Sequence, residues 1–221
     1  MGFFKKSDEQ ILSEITELTL LDARAISNDI YTLINVARSN HFYGVCINPC
    51  FVKTAKDFLT TKEFNDLAII SVVGFPLGAN TTASKVTEVK QLVKDGVDEV
   101  DVVINIGKLR ENDFEYIRKE LKQIVKSARG RVVKAIIETC YLTKEQIVDV
   151  CKICMKARVD FIKTSTGLGT RGATVEDVTL IQETVKKKCQ IKASGGIRTK
   201  EQAQALINAG ATRIGTSRVI V

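Results

Sequence analysis

Eight short strand-like segments, most of them rich in Val and Ile, recur along the chain at 17–21, 43–48, 67–75, 97–105, 131–139, 159–166, 189–194 and 213–217. Helical patterns with recognisable start signals lie between them. Ser7-x-x-Gln10, Thr143-x-x-Gln146 and Thr199-x-x-Gln202 read as capping boxes, Ser27 opens another helix, and Thr174 precedes one with Asp177 in its first turn. Strand, helix, strand at a spacing of roughly 25–30 residues implies parallel strands joined by crossover helices. Eight such units predict an α/β fold of the (β/α)8 TIM-barrel type rather than an open doubly wound sheet. Only residues 218–221 follow the eighth segment. The barrel is therefore expected to have a truncated C-terminal helix, with the extra N-terminal helix from Ser7 covering it instead.

The 221 residues contain no linker-like stretch, so a single domain over 1–221 is expected. A hydrophobic fraction of 44% and a charged fraction of 27% are ordinary for a globular protein. The net charge of +7 is spread along the chain, and the one basic run, Lys186-Lys187-Lys188, reads as a solvated stretch late in a helix. No nucleic-acid partner is expected from that pattern. A mild positive field would help attract an anionic substrate. No apolar run reaches the ~18 residues of a membrane span. The opening Met-Gly-Phe-Phe-Lys-Lys-Ser does not read as a signal peptide, and Lys6 breaks the myristoylation pattern. A cytoplasmic protein with no membrane partner is expected. Six irregularly placed cysteines fit a reducing compartment, and Cys151-x-x-Cys154 reads as packing inside an amphipathic helix. The single His41 speaks against a His-rich metal site and against a Ser-His-Asp triad.

Several strands carry charges where a plain core would place Val or Leu. With a period of two along each strand, Lys163, Lys192, Lys134 and Asp101 all turn toward the barrel interior. A buried unpaired ammonium is costly. Any one of these charges alone could snorkel to solvent or join a structural ion-pair network. Together, on neighbouring strands, they point to a site. Glycine-rich turns follow the same strands: Gly167 after Lys163, Gly195-Gly196 after Lys192, and Gly215 with Ser217 at the eighth strand. Exposed backbone N–H groups at such turns bind phosphate, and barrel enzymes often place that site after strands seven and eight. The alternative is that these are only tight turns. Gly167-x-Gly169-x-x-Gly172 also matches a dinucleotide-binding spacing, but the acidic residue such sites use about 20 positions on is replaced by lysines. No cofactor and no metal are expected.

Longer motifs carry a resemblance. Phe161 to Gly167, Lys192 to Thr199, Gly74 to Thr82, Asp98 to Gly107, Ile136 to Thr139 and Gly210 to Ser217 together resemble the deoxyribose-phosphate aldolases, in order and over nearly the whole chain. The resemblance implies a (β/α)8 barrel and a class I aldolase that cleaves 2-deoxy-D-ribose 5-phosphate reversibly to D-glyceraldehyde 3-phosphate and acetaldehyde. It implies Lys163 as the Schiff-base lysine, Asp101 and Lys192 as a proton relay, and Lys134 nearby. Gly167, Gly195, Gly196, Gly215 and Ser217 would form the phosphate site, and Thr19 and Cys46 would border the substrate. Core packing is the alternative for Cys46. The expected partners are a small phosphorylated sugar and further copies of the chain, a homo-oligomer with a dimer favoured.

Two features depart from the family pattern. Glu17-Leu18-Thr19 stands where Asp-x-Thr is common, and Arg218 follows Ser217 where a second Ser is common. A Schiff-base lysine must attack as the neutral amine, and an ordinary lysine near pKa ~10.4 is almost wholly charged at neutrality. Two cations ~5 Å apart at an effective dielectric of ~20 repel by roughly 3.3 kcal/mol, most of what such activation needs. Lys192 is placed to supply that repulsion. The rival readings are a barrel aldolase with another phosphorylated substrate and an inactive relative kept for binding.

Overall fold

The computed structural model describes residues 7–64 and 66–221. Residues 1–6, on which the reading of the N-terminus rests, lie outside them. The strands are β1 Thr16–Leu20, β2 Gly44–Ile47, β3 Ala68–Val73, β4 Glu99–Val103, β5 Val132–Ile136, β6 Phe161–Lys163, β7 Gln190–Ser194 and β8 Arg213–Thr216. They close in sequence order into one parallel barrel, with β8 pairing back onto β1. The helices are α1 Asp8–Glu14, α2 Ser27–Ser39, α3 Val52–Thr61, α4 Thr82–Asp95, α5 Ile106–Arg110, α6 Phe114–Ser127, α7 Lys144–Ala157, α8 Val175–Val185 and α9 Lys200–Asn208.

The expected start signals operate, with two changes of detail. Ser7 and Thr143 form reciprocal capping boxes with Gln10 and Gln146. At α9 only half of the box forms: Thr199 accepts from the Gln202 N–H, while the Gln202 side chain accepts from Arg198 N at 2.8 Å. Ser27 is the first helical residue rather than the cap, and Asp29 accepts from Ile26 N at 2.9 Å. Helix α1 stands beside α9, joined by Glu9 and Lys200 at 2.5 Å, and its Leu12 is fully buried. Leu12 joins the apolar cluster between barrel and helices. Lys186, Lys187 and Lys188 are exposed but lie just beyond α8, because Lys186 takes the left-handed C-cap conformation at φ 46°. Among the described residues no helix is long and apolar enough to cross a membrane.

The core divides in two. The large apolar cluster lies between barrel and helices, and Cys151 and Cys154 of α7 belong to it. Burial pushes the Cys151 thiol up to about 12, which suits packing rather than redox chemistry. A small cluster of Cys46, Ile70 and Val72 fills the β2–β3 side of the barrel interior. The opposite side, from β4 round to β8 and β1, is filled by charges.

Candidate active site

Strand register places the charged side chains. Lys163 on β6 lies opposite Lys192 on β7, and Asp101 on β4 lies opposite Lys134 on β5. All four point inward, as the period of two requires. The sequence left ion-pair network and functional site as alternatives, and the interior shows a network with one member reaching a cavity. Asp101 Oδ2 accepts from Lys163 Nζ at 2.7 Å and from Lys192 Nζ at 2.6 Å, while Oδ1 accepts from Lys134 Nζ at 2.8 Å. Lys192 and Lys134 are wholly buried, and Lys163 is 3% exposed.

That small exposure opens onto a cavity of about 410 Å3 at the C-terminal end of the barrel. Thr19, Lys163, Gly167, Gly195, Gly196, Gly215 and Ser217 line it together, so the structure gathers those sequence candidates at one place. Asp101, Lys134, Lys192 and Cys46 do not line it; they lie buried beneath. Phe75, Leu21 and Leu168 add apolar wall, and Arg198 and Arg218 stand at the glycine end.

The glycines are used in different ways. Gly167, Gly195 and Gly196 have φ of 86°, 85° and 76°, the left-handed region that favours glycine. A Cβ on Gly195 would sit 3.0 Å from the Cα atoms of Gly167 and Gly172, so the turns after β6 and β7 pack backbone to backbone. A Cβ on Gly196 would meet nothing within 4 Å, which leaves its face open to the cavity. Gly215 has another purpose: a Cβ there would press 3.0 Å from Lys192 Cε, so its absence gives the lysine stem room.

Other participants were given no role by the sequence reading. Glu17 does not project into the cavity; it lies below it, accepting from Arg213 Nη1 at 2.8 Å and from Lys192, with Lys134 at 3.2 Å. Glu99 receives Lys134 at 2.5 Å, Arg213 at 3.1 Å and the Tyr43 hydroxyl at 2.5 Å. Glu138, at φ 53°, accepts from Thr166 N at 3.2 Å and so anchors the β6 loop that carries Gly167. Strand β6 spans three residues, shorter than the expected 159–166.

Electrostatics follow from this sharing. Burial alone would raise Asp101, but Lys134, Lys163 and Lys192 together hold its carboxyl well below the usual range. Burial would lower Lys134 and Lys192, yet Asp101 and Glu17 override it and both ammonium groups are held above their ordinary value. Burial pushes the Cys46 thiol up. Glu17, Cys46 and Asp101 converge closely enough to suggest a metal site, something the sequence did not reveal. Both carboxylates already accept from Lys192 Nζ, which occupies the point they share, so the three act as a lysine's setting.

The sequence profile described as "DeoC/LacD family aldolase" matches residues 13–218. The chain belongs to the DeoC/LacD family of aldolases. As an aldolase it is a carbon–carbon lyase. The chain is 50% identical over 208 residues to the deoxyribose-phosphate aldolase of Thermococcus kodakarensis, covering 93% of this chain and 92% of that one. It is 48% identical over 206 residues to the Clostridium botulinum enzyme of the same name, covering 93% and 96%. The tetrameric deoxyribose phosphate aldolase of Aeropyrum pernix superposes with a TM-score of 0.87 at 30% identity, covering 95% of the aldolase described here and 88% of that chain.

Proposed function

We propose that this aldolase, acting as one barrel unit over 1–221, cleaves 2-deoxy-D-ribose 5-phosphate reversibly through a Schiff base on Lys163. The observation that carries the reading is Lys163 itself: a barrel lysine that reaches the cavity floor while its Nζ stays 2.7 Å from a buried carboxylate. The named relatives support the substrate, and the open glycine turns with Arg198 and Arg218 suit a phosphate at the far end.

Neutral Lys163 attacks C1 of the open-chain aldehyde, and loss of water leaves a protonated imine. Asp101, through a water and with Lys192 as its partner, takes the C3 hydroxyl proton while the C2–C3 bond breaks. The electron pair passes into an enamine and glyceraldehyde 3-phosphate leaves. Reprotonation at C2 and hydrolysis release acetaldehyde and restore the amine. The proton taken from the hydroxyl is the one returned to carbon, so the cycle balances.

Borohydride added with deoxyribose 5-phosphate tests this. The protein should lose activity and carry a reduced adduct on Lys163 by peptide mapping. An adduct on Lys134 or Lys192 would overturn the assignment, and intact activity without adduct would remove the Schiff base.

A further inference from the structure

The closed end of the barrel holds groups that the mechanism above does not use. Arg213 on β8 is 7% exposed, bonded to Glu17 and Glu99, with its guanidinium carbon 3.4 Å from the centre of the Tyr43 ring. Among the described residues the interior network therefore contains four cations, Lys134, Lys163, Lys192 and Arg213, against three carboxylates, Glu17, Glu99 and Asp101. The other titratable groups facing it are Cys46 on β2 and Tyr43 just before it, and burial keeps both in their neutral forms. Strand β3 contributes apolar Ala68, Ile70 and Val72. With every cation protonated, the buried network carries one surplus positive charge.

A surplus charge in a dry interior is costly, and releasing one proton removes it. Arg213 cannot release it, because a guanidinium does not deprotonate in proteins. Lys134 is paired with three carboxylates and Lys192 with two. Among the described residues Lys163 pairs with Asp101 alone and shares it with both other lysines.

We propose that Arg213 and Glu99 are positioning residues that set the charge count of the network, and that the fixed cation at the closed end drives the proton off Lys163 at the open end. This rests on the Schiff-base reading. It differs from direct repulsion between neighbouring lysines in locating part of the activation at the far end of the barrel, acting through Glu17 and Asp101. The sign follows from counting. Arg213→Met leaves three cations and three carboxylates, so removing the Lys163 proton creates a buried negative charge and requires higher pH. Glu99→Gln raises the surplus to two and makes the loss easier, at lower pH.

The experiment reads the pH dependence of trapping at Lys163, with acetaldehyde as the carbonyl probe and cyanoborohydride as the reductant. Arg213→Met should move the midpoint up by about one pH unit, and Glu99→Gln should move it down by a similar amount. Arg213→Lys should stay near wild type, and the Arg213→Met/Glu99→Gln pair should return toward it. A merely structural role would lower the trapped fraction at every pH without opposite displacements. Shifts of the same sign, or none, would overturn the proposal. If Arg213→Met does not fold, the isosteric Glu99→Gln decides alone, since a downward shift is expected only from charge. Failure of the wild type to trap at Lys163 would instead sink the Schiff-base reading.

Discussion

Inside the barrel, Lys134, Lys163, Lys192 and Arg213 share Glu17, Glu99 and Asp101; outside it, between barrel and helices, Lys85 of α4 pairs with Glu120 of α6 at 2.9 Å. Both Lys85 and Glu120 are fully buried, as are Glu17, Asp101, Lys134 and Lys192 within. The outer pair joins one ammonium to one fully buried carboxylate, with the half-buried Glu88 nearby, and is sealed by backbone groups, with Lys85 Nζ donating to the Val103 carbonyl at 2.8 Å and Glu120 accepting from Asn105 N at 3.2 Å. Burial dominates there, pushing Lys85 down and Glu120 up, each toward its neutral form. In the inner network each carboxylate is shared among several cations, so attraction outweighs burial for Asp101, Glu17, Lys134 and Lys192. Burial of charge alone therefore does not mark a reactive site. On the proposal above, charge imbalance with one member open to a cavity does.

The strongest way to break that contrast is Lys192. Lys192→Leu removes the ammonium bonded to Glu17 and Asp101, leaving both carboxylates to attract the Lys163 charge. Turnover should fall by roughly 10^2–10^4-fold, the usual weight of a lost acid–base group. Trapping at Lys163 should also need more alkaline solution. Lys192→Arg keeps the charge but cannot cycle a proton near neutrality. It should keep most of the trapping profile while losing turnover. An unmoved profile in Lys192→Leu would show that the neighbouring charge does not matter.

A second, smaller effect tests the open end. The inner network faces a cavity that suits an anion, whereas the outer pair faces protein. Gly196→Glu would place a carboxylate in that cavity, with space for its Cβ but at a left-handed φ of 76°. Gly196→Gln carries the same backbone strain without the charge, so the two variants separate strain from repulsion. The preference for deoxyribose 5-phosphate over deoxyribose, read as a ratio of kcat/KM, should be on the order of tenfold lower in the Glu than in the Gln variant. Equal ratios would make the glycine turns structural.

How far the sequence could lead differs along the chain. The barrel was legible because two independent signals agree, a period of two within strands and capping residues before helices. The same period turned Asp101, Lys134, Lys163 and Lys192 inward, and it also covers Glu99, two residues from Asp101, and Arg213, two from Gly215. Their contribution needed the count of charges around a closed barrel, which no single strand displays. Glu17 stood out only as a departure from Asp-x-Thr, and the structure places it between Arg213, Lys134 and Lys192. Cys46 shares the inward parity but is capped by the packing of Ile70 and Val72, so parity alone did not say that it stops short of the cavity. Lys85 and Glu120 gave no signal, because a charge on a helix reads as solvated unless the neighbouring helix is known.

The smallest expected effect on catalysis comes from that outer pair, and it sharpens the comparison most. Lys85→Met leaves the Glu120 carboxyl buried without its ammonium, a loss of about 3–5 kcal/mol for breaking one side of a buried pair. For a chain of this length the melting temperature should fall on the order of 10 °C. Turnover measured well below that transition should change only a few-fold, because Lys85 touches neither the cavity nor the inner network. Lys85→Met/Glu120→Leu removes both charges together and should recover much of the lost stability, since an apolar pair of similar volume replaces two desolvated ions. The carbonyl of Val103 and the N–H of Asn105 would then lose partners, so recovery should stop short of wild type. The trapping profile of Lys163 should not move in either variant. A shift comparable to that of Lys192→Leu would mean that the outer charges reach the inner network through β4, and the two regions would have to be treated as one electrostatic unit.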